Sequence, residues 1–448
     1  MSFLDRLLVL DSNTVSDALD LLGFKGAVYG LLPLWDCPKI VGRARTVKVG
    51  LNPDAVPPTH PLTPMDEATT DGILVVSGGI DGVSCWDHGI DNAWKAKRIR
   101  GAIIDGMCRD NKDSRDAGYP VYGRGVTTTS ERGQVAQVCS GTPLQVLQVR
   151  GVVVCQNDYV IADGSGTVFV PAERIERVLE VGERLNRRQT LVAQAVGAGR
   201  LASEVMEATQ SPTAPRNAGA ESSTQPPKAS AEDQELVALF AGSGTAGVSD
   251  ALDKLGILGQ AHNIMPLTDY STVTIGPAFT VRYVPACGSA GGVDNFIDQV
   301  ATGDVVVIDN GGRTDCTVWG DIMTQYAGLR GIAGTVIDGV CRDVNRALTD
   351  DYPLFTVGRW MRTGKDRVRV GGVNESIGVG RVRVQPRDIV VADANGVVVV
   401  PRNRAREVAE LARWIEECEA DIRESIVGGA TLGEAREEFK YFQLQRRG

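Results

Sequence analysis

The sequence predicts an α/β protein made of two copies of one domain in tandem, and three observations carry that expectation. First, short strings recur in one order at nearly one offset. Val-Ser-Asp-Ala-Leu-Asp occupies Val15–Asp20 and Val248–Asp253, and Ile-Asp-Gly-x-Cys-Arg-Asp occupies Ile104–Asp110 and Ile337–Asp343. Tyr-Pro stands at Tyr119 and Tyr352, so that all three pairs are 233 residues apart. Val-x-Ala-Asp-x-x-Gly-x-Val-x-Val-Pro follows at Val160–Pro171 and Val390–Pro401, 230 apart. A period this long marks whole domains, not the short units of a solenoid. Second, strand-like and helical patterns alternate within each copy. Third, residues 209–231 hold four prolines and few apolar side chains, too few to offset the entropy of ordering. The expected domains are 1–208 and 232–448, with a disordered linker over 209–231.

Each copy opens with a helix carrying Val-Ser-Asp-Ala-Leu-Asp, with Ser16 and Ser249 as expected N-caps and an end near Gly23 or Gly256. Arg45–Val49 and Phe279–Val284 have strand character, and Ile73–Val76 and Val305–Ile308 have the continuous apolar run of buried strands. A helix follows in copy two over about Asp321–Leu329, stopped by Gly331. Strands at Ala102–Ile104 and Thr335–Ile337 lead into an Asp-Gly turn and then Arg-Asp. Further strands surround Val121, Val152–Val154 and Ile161–Val170, with partners in copy two. The copies close with helices over about Glu173–Leu185 and about Asn403–Ile426.

Composition narrows the function classes. The chain has 448 residues, 43% hydrophobic and 23% charged, as globular domains do. A net charge of −9 and a pI near 5.1 argue against a nucleic-acid partner. The nine cysteines are scattered and never spaced Cys-x-x-Cys, so reduced thiols in a cytoplasm are expected. No run of 18 apolar residues is present, and the first residues lack the order of a signal peptide, so no membrane partner is expected.

The ordered set Val-Ser-Asp-Ala-Leu, Gly-x-Ala-x-Thr-Val, Trp-Gly-Asp, Asp-Gly-x-x-Arg-Asp and Ala-Asp-x-x-Gly-x-Val-x-Val-Pro resembles the RraA-like superfamily. That group includes the regulator of ribonuclease activity A and divalent-metal pyruvate aldolases acting on 4-hydroxy-4-methyl-2-oxoglutarate. The resemblance spans both copies and omits only the linker. Its most specific piece, Gly-Asp, twenty residues, then Arg-Asp, marks the aldolases and is intact at Gly320-Asp321 and Arg342-Asp343. The resemblance implies swivelling β/β/α domains that assemble as trimers or hexamers, here a trimer of two-domain chains, with sites at subunit interfaces.

The residues themselves suit that chemistry. Asp321 stands where a helix begins, so the N–H groups of Ile322 and Met323 are expected to point outward and bind a substrate carboxylate. Arg342 offers a planar fork for a carboxylate or an enolate oxygen. Asp343, after a strand, can ligate a hard cation while Asp321 holds one of its waters, which suits Mg²⁺ or Mn²⁺ and not Zn²⁺. A 2-oxo acid chelated there would have its carbonyl polarised and its enolate held when the C3–C4 bond breaks. The expected function is therefore a metal-dependent aldolase or decarboxylase of a 2-oxo acid. The alternative is a non-catalytic regulator that docks onto a partner. A docking surface has no need of carboxylates at metal-ligand spacing, which favours the enzyme.

Copy one departs from the pattern. Aligning Trp86 with Trp319 places Asp87-His88 where copy two has Gly320-Asp321, and the preceding loop is one residue shorter. Arg109 and Asp110 remain as a catalytic and a metal-ligating candidate. His88 either ligates a softer cation directly or marks a site decayed into structure, the preferred reading. Asp87 and Asp91 are the nearby replacement carboxylates. Asp17 and Asp250 are expected to support a turn or helix start, Asp163 and Asp393 a hairpin turn, and Cys108 and Cys341 the core. Gly242–Gly247 matches Gly-x-Gly-x-x-Gly but follows a helical pattern, so it reads as loop and not as a nucleotide site.

Overall fold

Strands buried on both faces must be apolar at consecutive positions, and the middle strands of each copy are. The computed structural model describes residues 1–51, 71–79, 81–86, 98–129, 135–137, 146–202, 205, 227–267, 272–286 and 296–439. These divide into two compact units, Met1–Thr190 with Trp360–Thr363, and Leu191–Arg359 with Gly364–Gly448.

In the first unit nine strands form one sheet. Their order is Ala27–Val28, Gly166–Val170, Tyr159–Asp163, Ile40–Leu51, Gly72–Ser77, Ala102–Cys108, Val121–Val126 and Leu32–Pro33, with Val135–Gln137 against Ile40–Leu51. The four from Ile40–Leu51 to Val121–Val126 run parallel, and the hairpin Tyr159–Asp163 and Gly166–Val170 joins them antiparallel. The second unit repeats the order, with Thr274–Pro285, Val305–Thr317, Gly334–Cys341 and Leu354–Arg359 as the parallel four.

Alternation along these strands divides their side chains between two cores. Leu74, Val76 and Ile104 face one, Ile73, Val75 and Ile103 the other. In the second unit Val306, Ile308 and Ile337 are set against Val305, Val307 and Val336 in the same way. A small hairpin covers one core in each unit, Val146–Val149 with Val152–Cys155 and Ile377–Val379 with Val382–Val384. A helical layer covers the outer hairpin strands. In the second unit Val248 and Leu252 of the helix Thr245–Leu255 and Val408 and Ala412 of Ala405–Val427 pack on Ile389, Val391 and Val398.

The opening helices, Ser12–Leu21 and Thr245–Leu255, begin a turn earlier than expected, so Ser16 and Ser249 lie inside them and are not caps. Asp11 caps the first of them, its side chain accepting from the Thr14 N–H at 2.6 Å, and further acceptors for both helix starts come from the far end of the domain. Asp163 accepts from the Ser12 N–H at 2.8 Å and its hydroxyl at 2.6 Å, and Asp393 accepts from Thr245 in the same way at 2.8 and 2.6 Å. Both aspartates also turn their hairpins, accepting from the N–H of Ser165 or Asn395. Burial pushes the Asp163 carboxyl up. At Asp393 burial is outweighed by the hydrogen bonds from Thr245 and Asn395, which hold it below its ordinary value.

Gly242–Gly247 is loop only as far as Gly244, since Thr245 already starts the helix. The Gly244 N–H donates to Glu416 at 2.9 Å and the Thr245 N–H to Asp393 at 2.8 Å. The closing helices are Ile175–Gly197 and Ala405–Val427. Most of the expected linker lies outside the described residues. At its end Ser230 caps the helix Ala231–Leu239 in a capping box with Asp233. Among the described residues no helix is long and apolar enough to cross a membrane.

Candidate active site

The strand Gly334–Cys341 runs into Arg342 and Asp343, and the chain then turns into the helix Val344–Thr349. Asp343 makes that turn in the left-handed region, φ 56° and ψ 37°, which aspartate tolerates better than most side chains. Its carboxylate makes no capping bond to its own helix. Oδ2 instead accepts from the Asp321 N–H at 3.2 Å and lies 3.4 Å from Arg342 Nε. Asp321 opens the helix Asp321–Leu329, so the helix start and the strand end meet at one carboxylate.

That meeting requires a glycine. A Cβ on Gly320 would stand 2.5 Å from Asp343 Oδ2 and 3.4 Å from Arg342 Nε. The surrounding frame is tied by hydrogen bonds: Arg342 N–H donates to the Trp319 carbonyl at 2.9 Å, and Trp319 Nε1 to Thr324 Oγ1 at 3.0 Å. The Trp319 ring stacks on Tyr352, whose hydroxyl pairs with Thr335 Oγ1 at 2.9 Å.

Of the residues singled out in copy two, the structure brings Asp321, Ile322, Arg342 and Asp343 together. One expectation is overturned. The Ile322 N–H does not point into open space but donates to Asp321 Oδ1 at 2.8 Å, because the first residue of a helix can cap the next N–H with its own carboxylate. Met323 turns its side chain into the core. Cys341 is fully buried, and burial pushes its thiol up to about 12, so it is no nucleophile.

Among the described residues no group of three or more His, Cys, Asp or Glu forms a metal cage. The donors present are hard carboxylate oxygens: Asp343 Oδ2, which borders the position a Cβ on Gly320 would take, and Asp321, whose N–H donates to it. Such a set fits Mg²⁺ or Mn²⁺, which retain several waters and need only one or two carboxylates, and does not fit Zn²⁺.

Copy one keeps the same frame. Arg109 N–H donates to the Trp86 carbonyl at 3.1 Å, Trp86 stacks on Tyr119, and Asp110 turns at φ 57° and ψ 33°. Arg109 Nε lies 3.4 Å from Asp110 Oδ2. The Asp110 side chain is 40% exposed, whereas that of Asp343 is 9% exposed. His88, with Asp87 and Asp91, lies outside the described residues. The reading of motifs also missed Arg124, whose Nε lies 3.3 Å from Asp105 Oδ1 and which donates to the Gly79 carbonyl at 2.7 Å. In copy two the equivalent of Asp105, Asp338, accepts from the Gly380 N–H at 3.1 Å instead.

The RraA-like family described as Aldolase/RraA matches residues 12–169 and 245–399. Protein DlpA of Legionella pneumophila is 41% identical over 202 residues, 44% of this chain and 33% of that protein, so the match spans about a third of its length. A Halalkalibacterium halodurans protein named "Putative 4-hydroxy-4-methyl-2-oxoglutarate aldolase" is 36% identical over 171 residues, 38% of this chain and 78% of that protein. Among solved structures, an uncharacterized protein from Pseudomonas syringae pv. tomato is 43% identical, with a TM-score of 0.43, covering 47% of this chain and 98% of that one. The chain belongs to the Aldolase/RraA family, as two tandem RraA-like domains.

Proposed function

We propose that this member of the Aldolase/RraA family is a divalent-metal-dependent carbon–carbon lyase. Its substrate would be a 2-oxo acid, cleaved or decarboxylated through a pyruvate-type enolate, with the second domain as the working site. The observation that carries the reading is the Asp343 carboxylate, braced against the Asp321 N–H and flanked by Arg342 in a space kept open by Gly320. The aldolase names of relatives such as the Halalkalibacterium protein support the same reaction class.

Asp343 would hold Mg²⁺ or Mn²⁺ directly and Asp321 one of its waters, and the cation would supply Lewis-acid polarisation of the 2-oxo group. Arg342 has its backbone fixed to Trp319 and its Nε beside Asp343, which roots its guanidinium donors at the site. They suit the substrate carboxylate and the oxygen that gains charge as the C3–C4 bond breaks. The Asp321 carboxylate accepts from the Ile322 N–H through Oδ1, which fixes its position at the helix start.

The test is pyruvate release, in a coupled assay, from 4-hydroxy-4-methyl-2-oxoglutarate and from oxaloacetate, with Mg²⁺ and with chelator. Turnover of either acid that disappears with chelator is expected. A folded protein inactive on both would leave the docking-regulator reading in its place. We further propose that three chains assemble, giving six pseudo-equivalent domains. Light scattering should show a trimer mass, and a stable monomer with full activity contradicts that assembly.

A further inference from the structure

The two copies also differ at a place where the first is hollow and the second is filled. The strand register pairs Ala27 with Val168 and Gln260 with Val398, which makes Ala27 and Gln260 counterparts. In the second copy the Gln260 amide donates to the Ser249 hydroxyl at 3.1 Å, the Ser249 carbonyl at 3.3 Å and Asp253 Oδ1 at 3.2 Å. Ser16 and Asp20 hold the matching positions in the first copy, where the alanine offers them no donor. A pocket of about 240 Å³ remains there, bordered by Ser16, Asp20 and Ala27. Sites for drug-sized ligands span about 300–1,000 Å³, so an occupant here is small. Every lining residue lies in the first unit, because Trp360–Thr363, though part of the second repeat, belongs to that unit.

Three cations line the pocket, Lys25, Arg150 and Arg362, against one carboxylate, Asp20. Arg362 Nε lies 3.8 Å from Asp20 Oδ2. Arg150 reaches only Asp105, at 4.0 Å, a carboxylate that Arg124 already meets at 3.3 Å. Among the described residues Lys25 makes no ion pair. The second copy has Leu258 in place of Lys25, and Gly380 in place of Arg150 at the same left-handed corner, φ 54° against 45°. The surplus charge is therefore particular to the hollow copy. The rest of the wall is largely apolar, with Leu19, Phe24, Val152 and Trp360. Trp360 is 9% exposed and meets Tyr29 edge to face at 5.3 Å, and its buried Nε1 has no hydrogen-bond partner among the described residues. A buried indole N–H ordinarily finds an acceptor. Surplus cations, an apolar wall and an unmet donor together suit an anionic oxygen carried on an apolar body.

We propose that this pocket of the first unit binds a small organic carboxylate with an apolar, ring-sized body, at a site that the second copy closes with Gln260. The carboxylate is received by Lys25 and Arg150, and the ring by Phe24 and Trp360. The site uses no metal and stands apart from the lyase reading, since none of its residues belongs to the Arg342–Asp343 corner.

The test titrates the full chain calorimetrically with benzoate in the presence of chelator, and with benzamide as the neutral ring of the same size. Benzoate should bind with a Kd below about 1 mM, on the order of 10–100-fold more tightly than benzamide. Ala27→Gln, which gives the first copy the amide of the second, should abolish binding with no loss of thermal stability. Lys25→Met should weaken benzoate about tenfold and leave benzamide unchanged, and Arg150→Gly, the residue of the second copy, should do the same. Arg342→Ala should leave benzoate affinity as it is. No benzoate binding below about 1 mM, equal affinity for benzamide, or full affinity in a folded Ala27→Gln protein overturns the proposal. Loss of benzoate binding in Arg342→Ala also overturns it, because the acid would then sit at the candidate active site. If Ala27→Gln unfolds, the two charge variants decide, and unchanged benzoate affinity in both overturns the proposal.

Discussion

The two Arg-Asp corners share a backbone and differ in what their carboxylates do. Asp110 and Asp343 turn the chain in the same left-handed conformation, and Arg109 and Arg342 anchor to Trp86 and Trp319 through equivalent N–H bonds. Asp343, however, is drawn inward onto the Asp321 N–H, while Asp110 stands far more exposed. The repeated string thus encodes a corner that folding needs, and the chemistry depends on residues outside it. Gly320 and Asp321 supply those in the second copy, where alignment gives the first copy Asp87 and His88.

The largest expected effect comes from removing the proposed direct metal ligand. Asp343→Ala should abolish Mg²⁺-stimulated pyruvate release with the fold intact by circular dichroism, and Asp110→Ala should leave most of it. Full turnover by the Asp343 variant breaks the assignment.

The arginines should follow in the same direction. Arg342→Ala is expected to lower kcat/KM about 100-fold, the loss typical of removing a charged group that binds the developing oxyanion. Arg109→Ala should change it little. Because both arginines sit in nearly identical strings with equivalent backbone bonds, folding damage should be similar and the contrast reports chemistry. A larger loss from Arg109→Ala would make the first copy the working site and His88 a specialised ligand.

Much of this comparison was legible in the sequence, because a duplication shows which positions changed. The tandem α/β order, the buried strands and the Asp321–Leu329 helix followed from repeats and periodicity. Features that join distant residues were not legible. The first N–H groups of Ser12–Leu21 and Thr245–Leu255 are held by Asp163 and Asp393, about 150 residues away, and local pattern favoured Ser16 and Ser249 as caps, missing Asp11 as well.

A smaller contrast concerns acid stability. In the second unit Arg387 joins two buried carboxylates, Asp233 and Asp304, the latter at 2.7 Å, and Arg402 adds a second bond to Asp233. The first copy has Asn157 at the position of Arg387, paired with Arg45. Burial alone would raise the Asp233 carboxyl, but the Arg387, Ser230 and Arg402 bonds bring it down to about 2. Its contribution is therefore complete above the ordinary value of 3.8 and lost as pH falls toward 2, amounting to about 2 kcal/mol. Asp304, pushed up by burial, works in the opposite sense and offsets part of this. Asp233→Asn should lower stability at pH 7 by about 2 kcal/mol and flatten the pH 4 to 2 limb of the unfolding curve. An unchanged acid limb would place the acid sensitivity elsewhere.

The mildest change is the one closest to the difference between the copies. In Gly320→Ala a methyl group would fall 2.5 Å from Asp343 Oδ2, a distance real contacts do not reach, so something must move. The obstructing atom is the end of a side chain and not backbone, and the carboxylate can swing outward toward the exposure seen at Asp110. The fold should therefore survive, with Asp343 released from the Asp321 N–H. Displacing a group that orients a ligand typically weakens metal affinity by about 10–100-fold, and a single methyl beside a mobile carboxylate should fall near the tenfold end. Mn²⁺ binding followed by electron paramagnetic resonance reads that loss without relying on turnover. The Mg²⁺ concentration for half-maximal activity should rise by the same factor, with kcat at saturating metal nearly unchanged. If Mn²⁺ affinity is unaltered, the glycine is not what separates the two corners, and the difference must lie in Asp321 itself.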